Sequence, residues 1–117
     1  MTTKILVIDD DVAITELMNM LLKTHGFEVF TTNSGVEGVK LVEEHRPSVV
    51  LLDLMMPDMD GWEVYQQMKA DLAMRDIPVI VVTAKAQNID KVLGLHIAKV
   101  DDYIAKPFDP RELVARI

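Results

Sequence analysis

Apolar and polar positions alternate between two patterns along this chain of 117 residues, and each pattern predicts a different element. Short, almost wholly apolar runs are typical of strands buried on both faces of a sheet, whereas longer segments with apolar residues three and four apart are typical of helices. The predicted strands are Ile5–Ile8, Phe27–Phe30, Val49–Leu52, Val79–Val82 and Tyr103–Ala105, of which the second is edge-like. Helical segments lie between them.

The predicted helices carry start and stop signals. The first predicted helix is Val12–His25, and the second begins at Ser34 and Glu37 and ends before Pro47. The third contains Trp62, Val64, Tyr65 and Met68. The fourth is Asp90–Leu95, and the fifth is a short helix after Asp109. The face of the first helix predicted to be buried consists of Ile14, Leu17, Met18, Leu21 and Leu22. The alternation of strands and helices predicts an α/β fold, (βα)5, with a doubly wound parallel sheet of five strands.

Composition limits the classes of function. The length indicates one domain, residues 1–117, and half of the residues are apolar, enough for a core without disulfides. The net charge of −7 argues against direct nucleic acid binding or membrane binding by this domain. The absence of cysteine fits a reducing compartment, so we expect a cytoplasmic protein. The last predicted helix has only about two turns before Ile117, so we expect the natural chain to continue.

Polar side chains stand where four of the predicted strands end: Asp9 and Asp10, then Asp53, Thr83 and Lys106. The carboxyl ends of parallel strands share one edge of a sheet, and ligands bind in the crevice there. Three carboxylates suit a hard cation such as Mg²⁺, and a hydroxyl and an ammonium suit phosphoryl oxygens. The pattern predicts a magnesium and phosphoryl site with its own acceptor, since aspartate can attack phosphorus.

Each of these residues also has an ordinary structural interpretation. The aspartates after the first strand suit a helix N-terminus, which explains Asp11 better than two adjacent carboxylates after a buried strand. Asp53 could bond loop amides, Thr83 could serve only as a strand residue, and Lys106 could be a solvated charge. The sequence by itself leaves both interpretations open for every member.

Four stretches resemble the receiver domain of two-component response regulators: Ile5–Asp11, Leu51–Gly61, Val82–Ala84 and Asp101–Phe108. The resemblance implies a flavodoxin-like sheet of order 2-1-3-4-5 and a phosphorylation-dependent switch. It implies that Asp53 accepts phosphate from a phosphohistidine of a sensor histidine kinase. Asp10, Asp53 and the main-chain carbonyl of Met55 would bind Mg²⁺, with Asp9 acting through water. Thr83 and Lys106 would contact the phosphoryl group, and Tyr103 would be the switch aromatic that follows Thr83.

The resemblance extends to the face by which OmpR/PhoB-type receivers dimerise, on the fourth helix, fifth strand and fifth helix. The positions matching this output face are Lys91, Val92, Leu95, Asp102, Glu112, Val114 and Arg116. It implies a homodimer that forms on phosphorylation. The competing interpretation is that these charges are ordinary solvated residues and that Glu112 only completes a helix cap.

Two other classes of function compete with the receiver. A haloacid-dehalogenase-type phosphatase also uses an aspartate nucleophile and Mg²⁺, but it needs a second acid two residues later, where this chain has Met55. A flavin- or nucleotide-binding module could use the same fold, but the chain has no G-x-G-x-x-G motif and no P-loop. We therefore expect no enzyme acting on a separate metabolite, only a domain that catalyses its own phosphorylation and dephosphorylation.

Overall fold

Five parallel strands form a single sheet in the computed structural model, which describes residues 3–53, 61–84, 102–106 and 109–117. The strands are β1 (Lys4–Ile8), β2 (Glu28–Thr32), β3 (Val49–Leu52), β4 (Val79–Ala84) and β5 (Asp102–Lys106). Their order is β2-β1-β3-β4-β5, and every neighbouring pair is parallel. The predicted fold and strand order are therefore confirmed.

Helices cover both faces of the sheet. The described helices are α1 (Val12–Thr24), α2 (Gly35–His45), α3 (Gly61–Ala70) and the C-terminal helix (Pro110–Arg116). Alternate residues of β1 point to opposite faces, so Leu6 and Ile8 join the core under α2 and α3, while Ile5 and Val7 join the core under α1 and the C-terminal helix. The predicted helix Asp90–Leu95 lies outside the described residues.

The burial of α1 corrects one sequence prediction. Met18 and Leu22 are fully buried, but Leu17 is 47% exposed. The apolar residues of α1 wrap further around the helix than the sheet can cover, and the sheet-facing side is completed by Thr15, a polar residue that is 4% exposed. In α1, the position of a residue relative to the sheet therefore determines its burial more than the helical spacing of apolar residues does.

The end of α1 explains why β2 begins later than predicted. Gly26 adopts a φ of 88°, and its N–H donates to the carbonyl of Lys23 (3.0 Å). The N–H of Phe27 donates to the carbonyl of Leu22 (3.2 Å), which completes a Schellman motif, and Phe27 packs against the core cluster that contains Leu22. Phe27 thus belongs to the helix end rather than to the strand. The predicted bounds of β3 are confirmed, and those of β1, β4 and β5 differ by one or two residues at their ends.

Close packing between α2 and β1 leads to a stability prediction. Gly38 is buried on α2, and a Cβ at this position would lie 2.6 Å from Cδ1 of the fully buried Ile8. We expect Gly38→Ala to lower the free energy of unfolding by about 1 kcal/mol, because overpacking costs more than the gain in helix propensity. Ile8→Val alone should also destabilise by about 1 kcal/mol.

The two changes together should compensate in part, because Ile8→Val removes Cδ1, the nearest of the three Ile8 atoms that an alanine at position 38 would meet, while Cγ1 (3.0 Å) and Cγ2 (3.2 Å) remain. Urea unfolding of the parent, both single variants and the double variant measures this coupling. If the free energy of unfolding of the double variant falls by the sum of the decreases in the two single variants, the assigned contact is contradicted.

Candidate functional site

Three aspartates converge at the carboxyl edge of the sheet. Asp9 follows β1 and is 2% exposed, Asp53 follows β3 and is 5% exposed, and Asp10 is exposed. One carboxylate oxygen from each residue lies within 4.8 Å of the others. The sheet sets this geometry, since the N–H of Asp53 donates to the carbonyl of Ile8 (2.9 Å) and that of Asp9 to the carbonyl of Thr32 (3.1 Å).

The consecutive aspartates in the turn after β1 make different hydrogen bonds. Asp11 is the N-cap of α1, and its Oδ1 accepts from the N–H groups of Ala13 (2.9 Å) and Ile14 (3.4 Å). Oδ1 of Asp9 accepts from the N–H of Asp11 (2.9 Å). The capping interpretation is therefore correct for Asp11. Asp9 contributes to the turn as well as to the carboxylate cluster.

Ionised carboxylates as close together as those of this cluster repel one another. Two unit charges at about 4.8 Å repel by roughly 3 kcal/mol at an effective dielectric constant near 20. Asp9 and Asp53 are both buried, so water weakens their repulsion less than at a surface. A bound cation would remove this cost.

The donor set fits magnesium. Mg²⁺ takes oxygen ligands at about 2.1 Å, so ligand oxygens around one ion lie roughly 3–4 Å apart. Carboxylate oxygens within 4.8 Å of one another can reach that arrangement with small side-chain movements. Within the described ranges the side chains of this cluster are all carboxylates, which favours a hard cation over a softer transition metal.

Strands β4 and β5 bring two more predicted site residues to the same edge. Thr83 pairs with Ala105, and Ala84 pairs with Lys106. Leu52 pairs with Val81, so Thr83 lies two residues further toward the edge that Asp53 occupies. The backbone of Tyr103 lies opposite Val81 on β5. The structure describes the strand positions of Thr83, Tyr103 and Lys106 but not their side chains, and Met55 lies outside the described residues.

Asn33, a polar residue that was not among the predicted site residues, contacts the site. Asn33 follows β2, and its Nδ2 donates to the carbonyl of Asp9 (2.9 Å) and to Oγ1 of Thr15 (3.1 Å). The register Ile8↔Thr32 places Asn33 beside Asp9 at the carboxyl edge. The rule that singled out the residues after β1 and β3 applies equally to β2 and would have identified Asn33.

Comparison with known proteins assigns the family. Residues 5–117 match the response regulator receiver domain. The DNA-binding response regulators MtrA of Mycobacterium tuberculosis and Mycobacterium leprae are each 43% identical to this chain over 117 residues, which are all of this chain and 50% of each relative. The chain therefore spans about half the length of these curated relatives.

Solved structures agree with this assignment. A CheY-like response regulator receiver domain protein from Methanospirillum hungatei has a TM-score of 0.87 and 31% identity, covering 99% of this chain and 90% of that chain. The chemotaxis protein CheY4 of Vibrio cholerae has a TM-score of 0.87 and 25% identity, covering 98% and 95%.

The chain belongs to the response regulator receiver domain family. It is a receiver domain of phosphorylation-dependent two-component signalling, with the flavodoxin-like fold expected from its sequence. The phosphatase and the flavin- or nucleotide-binding module are not supported. Receiver domains of this family are generally not classical enzymes. Among the described residues, no helix combines the length and apolar character needed to cross a bilayer.

Proposed function

We propose that Asp53 is the phospho-acceptor of this receiver. The observation that carries the proposal is the cluster itself: a buried carboxylate at the end of a central strand, within 4.8 Å of two other carboxylates that can hold a cation. A carboxylate oxygen of Asp53 attacks the phosphorus of a kinase phosphohistidine. The new oxygen–phosphorus bond forms as the phosphorus–nitrogen bond breaks, and the histidine leaves with its electron pair.

Asp10, Asp53 and the main-chain carbonyl of Met55 are the residues that we assign to Mg²⁺, with Asp9 acting through a water molecule. The positions of the carboxylates support this division, because Asp10 is exposed whereas one oxygen of Asp9 is already engaged by the N–H of Asp11. Mg²⁺ held by these residues would supply positive charge to the phosphoryl oxygens. The acidic cluster would supply the oxygen ligands.

Thr83 and Lys106 are assigned to the transferred phosphoryl group, and Tyr103 to the switch. The pairing of Ala84 with Lys106 supports a common location at the carboxyl edge. The phosphoryl group adds nearly two negative charges and three strong acceptors, which a hydroxyl and an ammonium can bind. To convert a mostly inactive domain into a mostly active one, phosphorylation must favour the active form by roughly 5 kcal/mol.

Acetyl phosphate with Mg²⁺ tests the acceptor directly. We expect the mass of one phosphoryl group to be added, the group to be labile in base as an acyl phosphate is, and peptide mapping after borohydride reduction to locate it at Asp53. Omitting Mg²⁺ should prevent the addition. Modification at another residue, or no modification with Mg²⁺ present, would contradict the proposal.

The partners follow from the class of protein. Family membership implies a sensor histidine kinase as phosphoryl donor. We place the receiver, residues 1–117, in the cytoplasm, where it catalyses only its own phosphorylation and dephosphorylation. The relatives are named as DNA-binding response regulators, and this chain covers half of their length. A receiver with a net charge of −7 binds DNA poorly. In a protein of the relatives' type, the half outside the receiver would therefore contact DNA.

The output face carries a further part of the proposal, a homodimer that forms on phosphorylation. Glu112 is exposed, which fits an interface position, whereas Val114 is half-buried and packs against the core beneath the C-terminal helix. Lys91, Val92 and Leu95 lie outside the described residues, and the side chains of Asp102 and Arg116 are not described. Surface ion pairs contribute under about 1 kcal/mol each, so the dimer should be weak without phosphorylation.

We expect beryllofluoride with Mg²⁺ to convert a monomer into a dimer in sedimentation. Arg116→Glu should abolish the dimer by placing like charges across the two-fold interface, and Asp102→Arg in the same chain should restore part of it. Arg75→Glu, at an exposed position on the loop between α3 and β4, is the matched control and should dimerise like the parent. An activated parent that stays monomeric at high micromolar concentration would eliminate this mode of output.

A further inference from the structure

Asn33 joins three segments around the acidic cluster. Its Nδ2 donates both to the carbonyl of Asp9 (2.9 Å) and to Oγ1 of Thr15 (3.1 Å), 24 and 18 residues away in the chain. Thr15 is buried on α1, and its hydroxyl donates to the carbonyl of Val12 (3.0 Å). The Asn33 amide is therefore held by a rigid helix on one side while it holds the Asp9 backbone on the other.

The Asp9 backbone is held from both sides by the end of β2. The N–H of Asp9 donates to the carbonyl of Thr32, and the carbonyl of Asp9 accepts from Asn33. That carbonyl belongs to the planar peptide that leads into Asp10, so the hydrogen bond restricts the orientation of the Asp10 backbone. Asp10 is exposed, and no hydrogen bond holds its carboxylate within the part of the chain that the structure describes. The direction of the Asp10 carboxylate thus depends on its backbone.

We propose that Asn33 is a positioning residue for metal binding: by fixing the peptide between Asp9 and Asp10, it sets the affinity of the acidic cluster for Mg²⁺. The inference rests on the proposed function of the cluster. Mg²⁺ requires near-ideal octahedral geometry, so a small rotation of one ligand lowers affinity. Groups that orient metal ligands from outside the coordination sphere typically change affinity 10–100-fold when they are removed.

Asn33 is suited to mutation because it is an exposed residue, so Asn33→Ala creates little cavity. We expect this variant to remain folded and to bind Mg²⁺ about tenfold more weakly than the parent in calorimetric titration. Thr15→Val is similar in size and removes the acceptor that orients the Asn33 amide while leaving the bond to Asp9 possible. It should weaken Mg²⁺ binding by a smaller factor, and adding it to Asn33→Ala should cause no further loss of affinity.

A matched control separates positioning from general destabilisation. Ser48 lies at the opposite edge of the sheet, where its Oγ accepts from the N–H of Lys4 (3.3 Å). Ser48→Ala also removes one side chain to backbone hydrogen bond, and it should bind Mg²⁺ like the parent. Thermal unfolding of each metal-free variant shows whether stability changes in parallel with affinity, and all titrations are made well below the unfolding transition.

The outcomes distinguish this inference from the proposed function. If the parent does not bind Mg²⁺, or if Asp10→Asn binds it as well as the parent, the assignment of the metal site fails. If the parent binds Mg²⁺ and Asp10→Asn does not, but Asn33→Ala binds like the parent, only the role of Asn33 is overturned. Equal losses of affinity in Asn33→Ala and Ser48→Ala would also overturn it, because the effect would then follow stability alone.

Discussion

An Asp53→Asn variant is expected to take up no phosphoryl group from acetyl phosphate and, without metal, to unfold at a higher temperature than the parent. The amide keeps the size of the carboxylate but lacks its nucleophilic oxygen, so phosphorylation should be lost entirely. The same change removes one of two buried charges, since Asp9 is 2% and Asp53 5% exposed. Relief of their repulsion should raise the free energy of unfolding.

The two effects need a control with the same change in net charge. Asp76 is exposed in the loop between α3 and β4, away from the cluster, so Asp76→Asn should phosphorylate and unfold like the parent. Intact mass after reaction with acetyl phosphate and Mg²⁺ measures the first effect, and thermal unfolding in chelator measures the second. An Asp53→Asn variant phosphorylated to the same extent as the parent would contradict the acceptor assignment, and one destabilised without metal would contradict the assigned repulsion.

The sheet was predictable because its signals are local. A central parallel strand is buried on both faces, so β1, β3 and β4 appear in the sequence as continuous apolar runs whose ends mark the functional edge. The proximity of Asp9 and Asp53 followed from that topology alone, before any distance was known. The predicted ends of the strands were less accurate, because a residue such as Phe27 belongs to a helix terminus and not to the hydrogen-bonded sheet.

The supporting contacts were not predictable in the same way. The bond from Asn33 to Asp9 spans 24 residues, and neither residue shows it in its local sequence. The burial of Thr15 and the exposure of Leu17 depend on how α1 is rotated about its axis over the sheet. The apolar positions of the helix are compatible with more than one such rotation. Ligand types can therefore be predicted from strand ends, whereas the contacts that orient the ligands require the packed structure.

Local packing and site chemistry are coupled through β1. Ile8 contacts the position of Gly38 on α2, the next residue is Asp9, and the carbonyl of Ile8 accepts from the N–H of Asp53. Displacement of Ile8 would therefore shift the backbone of both buried carboxylates. Because Ile8 is completely buried, the position of the acidic cluster depends on how α2 packs against the sheet as well as on the loops that carry the aspartates.

Asp10→Asn should lower the affinity for Mg²⁺ strongly, with only a small effect on the stability of the metal-free fold. Asp10 is exposed, so its repulsion from Asp9 and Asp53 is better screened by water and salt than the repulsion between the two buried residues. We expect metal-free Asp10→Asn to gain less stability than Asp53→Asn, and the gain should fade as the salt concentration rises from 0.01 to about 1 M, where the Debye length falls to about 3 Å.

Its affinity for Mg²⁺ should fall by more than the 10–100-fold typical of residues that act from outside the coordination sphere, because a charged ligand is lost. At low Mg²⁺ concentration, the rate of phosphorylation by acetyl phosphate should fall in proportion to the loss of Mg²⁺ affinity. At high Mg²⁺ concentration the rate should recover partly, since Asp53 is still present as acceptor. That partial recovery separates a metal ligand from the acceptor, for which no Mg²⁺ concentration restores phosphorylation. An Asp10→Asn variant that binds Mg²⁺ like the parent in calorimetry would contradict the assigned metal site, which includes Asp10 as a ligand.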